Sequence, residues 1–234
     1  MRILLLPILV SITGFLYAQD PEYKLDFAYK PGYKMVFEGI NRVYDEYNFP
    51  TSESPSSMTI EFTDIVKKGK AEVIGCRVGQ VSKDTTVEYD TQLQFTKKGM
   101  LIIAPKDHSD KPYYTIMYPI IYENTWKVTI QNNKGEAVIT STDTLLNTPY
   151  GPMNGFVVTF TSVVANIMGI NLYFEDVEGY VPIVGKVFHF INMYFYHPET
   201  MRKHFTTTSE LYLTETNLPD SIIKTLPIDT LREK

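Results

Sequence analysis

The sequence predicts an all-β protein: an antiparallel, curved sheet forming a barrel, half-barrel or sandwich of about a dozen strands. Three observations lead there. Apolar and polar residues alternate with a period of two along most of the chain, as in Met58, Ile60 and Phe62 against Thr59 and Glu61. Turn signals recur at short spacing, among them Lys67-Lys68-Gly69-Lys70, Ser82-Lys83-Asp84, Lys97-Lys98-Gly99 and Asn132-Asn133-Lys134-Gly135. No segment carries a sustained helical stripe, so the long crossovers that parallel strands need are missing and neighbours must run antiparallel.

Before the strands comes an export signal. Met1-Arg2 is a basic start, Ile3 to Phe15 is almost unbroken apolar sequence, and Leu16-Tyr17-Ala18 offers a small residue before Gln19. This is the layout of a secretory signal peptide, residues 1–18, cleaved after Ala18. The run is too short to span a bilayer, which takes about 20 apolar residues. No transmembrane segment is expected in the mature chain. Gln19, not Cys, follows the cut, so no lipid-anchoring thiol stands there. The expected location is the periplasm or the extracellular space, as a soluble protein.

The next residues, 19–216, read as a single all-β domain, since barrels and sandwiches often reach about 200–250 residues as one unit. Strands are expected near 33–46, 57–66, 71–81, 85–95, 99–104, 113–118, 125–131, 136–146, 155–164, 170–176, 179–184, 187–196 and 205–215. Trp126, Val128 and Ile130 alternate with Lys127, Thr129 and Gln131, and Asn133 to Gly135 then reads as a hairpin loop. Thr51 to Ser57 is rich in Ser and Pro and reads as a loop. Ser162 to Met168 and Ser221 to Lys224 can each form a short turn of helix. Pro149 and Pro152 set two φ angles around Gly151, which is free to take a positive φ, so Thr148 to Phe156 reads as a rigid corner. Asn217 to Lys234 reads as a polar C-terminal tail.

Charge and cysteine usage exclude several function classes. The net charge is −5, and no Lys/Arg cluster exceeds two residues, which argues against nucleic acid and anionic membrane surfaces as partners. Cys76 is the lone cysteine and cannot form an internal disulfide. Its strand-like setting, Ala71 to Cys76, fits a buried, inert thiol better than a nucleophile.

The chemistry-bearing patterns are few. No Gly-x-Ser-x-Gly elbow, phosphate loop or dinucleotide fingerprint occurs, and no catalytic residue or cofactor is assigned. His189, His197 and His204 fall close in sequence, but Pro198 interrupts any strand linking the last two, so no metal site is assigned. Glu175 and Asp176 are adjacent, point to opposite faces, and suit a solvated strand end.

The densest apolar segment is Val187 to Tyr196. Phe188, Phe190, Tyr194 and Tyr196 fall on one strand face; Val187, His189, Ile191, Met193 and Phe195 fall on the other. A strand apolar on both faces must bury both, against a second layer, a ligand or a partner. A second apolar zone, Phe156 to Ile170, ends in an adaptable lip at Met168. The expected role is therefore non-enzymatic binding of a lipid or other apolar or amphipathic ligand, at Phe188, Phe190, Tyr194, Tyr196 and Met168. The alternatives are an envelope scaffold whose apolar face meets a protein partner, and a hydrolase or metal enzyme. An outer-membrane barrel also uses alternating strands, but the chain ends Leu231-Arg232-Glu233-Lys234 without the final aromatic such barrels favour.

Three stretches resemble an exported, β-rich family of unknown function from Gram-negative envelopes. They are Tyr118-Pro119-Ile120-Ile121 leading through Glu123-Asn124 to Thr125-Trp126, the turn Thr148 to Phe156, and Tyr173 to Val181 with its acidic-aromatic strand and glycine turn. The resemblance spans Tyr113 to Val184. It implies a curved sheet or barrel distantly like periplasmic lipid and lipoprotein carriers, and it brings no catalytic residues.

Overall fold

Twelve strands make one antiparallel sheet in a computed structural model of the chain, which describes residues 27–68, 71–83, 85–103, 111–130, 133–167, 169–197, 200 and 202–226. They are β1 (Lys34–Tyr44), β2 (Pro50–Lys68), β3 (Ala71–Ser82), β4 (Thr85–Thr96), β5 (Gly99–Ile103), β6 (Tyr113–Met117), β7 (Thr125–Ile130), β8 (Asn133–Thr148), β9 (Gly151–Ile167), β10 (Ile170–Val181), β11 (Gly185–His197) and β12 (Arg202–Thr216), followed by a short helix, α1 (Asp220–Ile223). The signal peptide and Met168 lie outside the described residues.

The order across the sheet is β6-β5-β4-β3-β2-β1-β12-β11-β10-β9-β8-β7. Strands adjacent in sequence pair in space, with one added pairing and one exception. β1 pairs with β12, which joins the first strand to the last. β6 and β7 are consecutive yet share no ladder. The sheet curls until these two edges meet. There Trp126 Nε1 donates to the Tyr114 carbonyl at 2.8 Å, and Asn124 Nδ2 donates to the Met117 carbonyl at 3.1 Å. The result is a nearly closed barrel whose seam is held by side chains.

Four local expectations are corrected. Segments 170–176 and 179–184 are one strand, β10, with Gly179 inside it; Gly179 has no side chain because the Phe188 ring lies where its Cβ would be. The chain turns instead at Pro182 to Val184, where Ile183 is held at φ 71°. Thr51 to Ser57 is strand, not loop. Its residues up to Pro55 pair with β1 alone, because β3 ends opposite Ser56, and proline is tolerated on a strand with one free side. Asn133 to Gly135 already belongs to β8, paired back to Val128 and Ile130. Ser162 to Ile167 continues β9: the i, i+4 spacing of Val163 and Ile167 imitates a helix, but the ladder to β10 claims their backbone. The helix expected near Ser221 is α1, and Gly151 adopts φ 120° in the β8–β9 turn.

Inward residues alternate as the period-two pattern requires. Met35 and Phe37 of β1, Met58 and Phe62 of β2, Phe156 and Val158 of β9, and Leu211 and Leu213 of β12 are buried. Eight strands already give an interior that side chains just fill, so twelve leave surplus space. At one end the chain itself takes up that space. Residues 27–33 run into the barrel, where Phe27 stacks on Tyr180 at 5.8 Å and Tyr29 on Phe62 at 4.4 Å. Ala28 N donates to the Ile183 carbonyl and Tyr33 Oη to the Val184 carbonyl. Leu218 and Leu226, within the segment read as a polar tail, are buried in the same hydrophobic cluster.

The outer face of β1 to β4 carries Glu38, Arg42, Glu61, Arg77, Glu88 and Asp90. Arg42 bridges Glu53 at 2.8 Å and Glu210 at 2.7 Å. A lipid-facing barrel needs an apolar outer band, and a midplane charge there costs about 2–4 kcal/mol. No described helix is long and apolar enough to cross a membrane.

Candidate functional site

Two features interrupt the apolar interior: a charged cluster halfway along the barrel and an open cavity above it. β10 directs Phe174, Asp176, Glu178 and Tyr180 inward, and β11 directs His189 and Ile191 inward, with Glu178 opposite His189. Lys186 joins them through a bulge. Tyr180 pairs with Lys186 and Gly179 with Phe188, so Val187 is an extra residue in β11. A bulge of this kind re-aims the flanking side chains, here turning Lys186 toward the interior.

Glu178 is bound at both oxygens: Lys186 Nζ contacts Oε1 and Tyr180 Oη donates to Oε2. Only 13 % of the Glu178 side chain and 15 % of the Lys186 side chain are exposed. Burial alone would raise the Glu178 carboxyl. The charges of Lys186 and His189 outweigh it and hold the group below the ordinary carboxylate range. Lys186 mirrors this: burial disfavours its charge, but Glu178 and Asp176 hold the ammonium above its usual value. Burial also raises the Tyr180 and Tyr29 phenols, and the Tyr29 oxygen accepts the Lys186 backbone N–H at 3.0 Å.

His189 Nε2 lies 3.0 Å from Asp176 Oδ1 and 3.8 Å from Glu178 Oε1. Neither contact has hydrogen-bond alignment. Both ring nitrogens of His189 and Asp176 Oδ1 are buried without a hydrogen-bond partner among the described residues. A cavity of about 50 Å³ adjoins the carboxylates, lined by Asp176, Glu178, Tyr113, Tyr114, Thr115 and surrounding apolar side chains.

Two residues along the same inner faces, Ile191 of β11 and Ser209 of β12 border a larger cavity of about 410 Å³ at the open end. Asn41, Gln80, Ser82, Thr85 and Thr207 supply polar groups to it, and Val43 and Val87 supply apolar ones. The Asn41 Oδ1 atom is buried and has no hydrogen-bond partner among the described residues.

The four aromatic residues singled out by sequence share one face, the outer one. Phe188 stacks on Phe190 at 4.5 Å, and Phe190 meets Tyr212 edge-on at 5.1 Å. Further along, Tyr194 stacks on Tyr173 at 5.5 Å, Tyr173 meets Tyr196, and Lys203 Nζ sits 4.3 Å above the Tyr194 ring. The structure thus groups Phe188 with Phe190 and Tyr194 with Tyr196, in two clusters, and neither borders the two cavities. Glu175 and Asp176 do point to opposite faces, but in mid-strand: Glu175 outward to Lys203 and Asn192, Asp176 inward. His197 and His204 approach with ring centroids 5.0 Å apart.

The charged cluster does not show as a neighbouring pair of carboxylates, since Glu175 and Asp176 face opposite ways. The usable signal was Asp176 and Glu178 at i, i+2, in step with Phe174 and Tyr180, two charges on an apolar stripe.

No family model matches the sequence, and no curated protein matches it. Among solved structures, the chain is similar to a "putative exported protein with YmcC-like fold" from Bacteroides fragilis, with 12 % identity, a TM-score of 0.46, and coverage of 83 % of this chain and 99 % of that one. It is also similar to a "putative lipoprotein" from Parabacteroides distasonis, with 11 % identity, a TM-score of 0.42, and coverage of 82 % and 98 %. The names speak of export and of a lipoprotein; neither speaks of lipid carriage. The barrel described above rests on this chain's own ladders.

Proposed function

We propose that this is an exported, non-enzymatic binding protein that takes a small amphipathic ligand into the open end of its barrel. The observation that carries the reading is the cavity of about 410 Å³. Its volume lies within the range of about 300–1,000 Å³ typical of small-molecule sites. Its lining is mixed. Hydroxyls and amides of Asn41, Gln80, Ser82, Thr85, Thr207 and Ser209 offer hydrogen bonds, while Val43, Val87 and Ile191 offer apolar contact. Asn41 Oδ1, buried without a partner among the described residues, is an acceptor that a ligand donor would satisfy. The other end is filled by Phe27, Tyr29 and Tyr33, which among the described residues leaves no long apolar tunnel for an acyl chain and favours a compact ligand.

The test is an amide-resolved NMR titration with octyl glucoside kept below its micelle concentration. Shifts centred on Asn41, Ser82 and Thr207, lost in a Ser209→Trp variant that fills the cavity, support the reading. Shifts confined to Phe188, Phe190 and Tyr212 would refute it and favour a second one, in which the outer aromatic row docks an envelope protein. That reading draws on the exposure of Tyr212, 49 %, beside the Phe188–Phe190 stack.

A further inference from the structure

We infer that Asp176, Glu178 and His189 form a binding site for one divalent transition-metal ion, with zinc the best fit, inside the barrel. Each residue offers one ligand atom, and the three atoms lie within 4.8 Å of one another. For metal–ligand bonds of about 2.1 Å, the 3.0 Å and 3.8 Å separations from His189 Nε2 correspond to angles of about 90° and 130° at the metal. Both angles suit a four- or five-coordinate ion.

The second observation is the unused bonding capacity. An imidazolium placed only to pair with Asp176 would align an N–H on the carboxylate. Here Asp176 Oδ1 and both His189 nitrogens lack hydrogen-bond partners among the described residues, although buried polar atoms rarely go without. A metal ion satisfies Nε2 and Oδ1 together. Charge points the same way: with His189 neutral, as a metal ligand is, two partly buried carboxylates face one cation, Lys186, and the ion supplies the balancing charge. The adjoining cavity of about 50 Å³ has room for a metal-bound water, near Tyr113 and Thr115. A nitrogen donor beside two carboxylates selects zinc and its neighbours over calcium or magnesium, which prefer oxygen alone. Ile191 and Ser209 of the open cavity continue the inner faces of His189 and Leu211 toward that end.

Lys186 is the internal competitor. Its ammonium occupies Glu178 Oε1, and the ion must displace it there. Loss of Lys186 therefore tightens metal binding, the opposite of what loss of a ligand does.

The experiment strips the mature protein with a chelator, adds zinc, and measures ion content by mass spectrometry and affinity by calorimetry. Circular dichroism checks each variant's fold. The expected result is one zinc per chain, at least 10-fold weaker binding in His189→Gln, and at least 10-fold tighter binding in Lys186→Gln. A His197→Ala/His204→Ala variant retains wild-type uptake. Asp176→Asn provides the same loss should His189→Gln fail to fold. Absence of zinc uptake by the wild-type chain, or uptake undiminished by His189→Gln or Asp176→Asn but abolished by His197→Ala/His204→Ala, overturns the inference.

Discussion

Replacing Lys186 with methionine removes the ammonium from Glu178 Oε1 while keeping an apolar stem of similar length. Both side chains are 15 % exposed or less, so solvent screens the pair weakly. Breaking a buried pair by deleting one partner costs about 3–5 kcal/mol, because the other charge stays buried and uncompensated. At about 2–4 °C per kcal/mol for a chain of this size, the melting temperature should fall by about 6–20 °C. The double variant Lys186→Met/Glu178→Gln removes both charges, retains an acceptor for the Tyr180 hydroxyl, and should recover at least half of the loss.

The pH dependence adds a second sign. In the wild type the Glu178 carboxyl sits below its ordinary value, so its contribution is present above about pH 4.3 and is lost as pH falls through the lower folded value. Lys186, held above its usual value, contributes below about pH 10.4 and is lost only as pH rises through the higher folded value. In Lys186→Met, burial is opposed only by His189 and the Tyr180 hydroxyl, so the Glu178 carboxyl rises relative to the wild type and the stability gap narrows as pH falls. Guanidinium unfolding followed by Trp126 fluorescence, in chelator at pH 8 and pH 5, measures both effects. A stability gap equal at the two pH values, together with a double variant whose loss is the sum of the singles, would refute the reasoning.

Three further outcomes are expected. Trp126→Phe removes the hydrogen bond across the β6–β7 seam, costs about 1 kcal/mol, and should speed amide exchange in β6 and β7 while leaving β1 and β2 protected. Burial first, then the charge of Asp64, pushes the Cys76 thiol up to about 12; a thiol-reactive dye should therefore label it at pH 8 only after denaturant unfolds the chain. Gly39→Ala places a Cβ 1.7 Å from the Glu210 backbone oxygen, so the β1–β12 ladder must shift, at a cost of about 1–3 kcal/mol read from the unfolding midpoint.

Part of this architecture was legible in particular residues. The alternation of Met58, Ile60 and Phe62 with Thr59 and Glu61 placed an inner and an outer face on β2, and both faces are as read. Phe188, Phe190, Tyr194 and Tyr196 do share a face. That this face is the outer one was not legible, because β11 is apolar on both faces and the pattern then does not name which meets the core. Gly179 misled for a related reason: a strand glycine made necessary by the ring of Phe188 resembles a turn glycine until the facing strand is known.

Local sequence was thus sufficient for the antiparallel all-β class, most strand positions, the Gly151 corner and the buried state of Cys76. These depend on side-chain period and backbone preference, which act over a few residues. Closure was not of that kind. The β1–β12 ladder, the seam between Tyr114 and Trp126, and the filling of one end by Phe27, Tyr29 and Tyr33 join residues far apart in the chain. So does the meeting of Asp176 and Glu178 with His189 and Lys186. Their register is set by pairing β10 with β11 and by one extra residue, Val187, and no spacing along a single strand encodes that bulge.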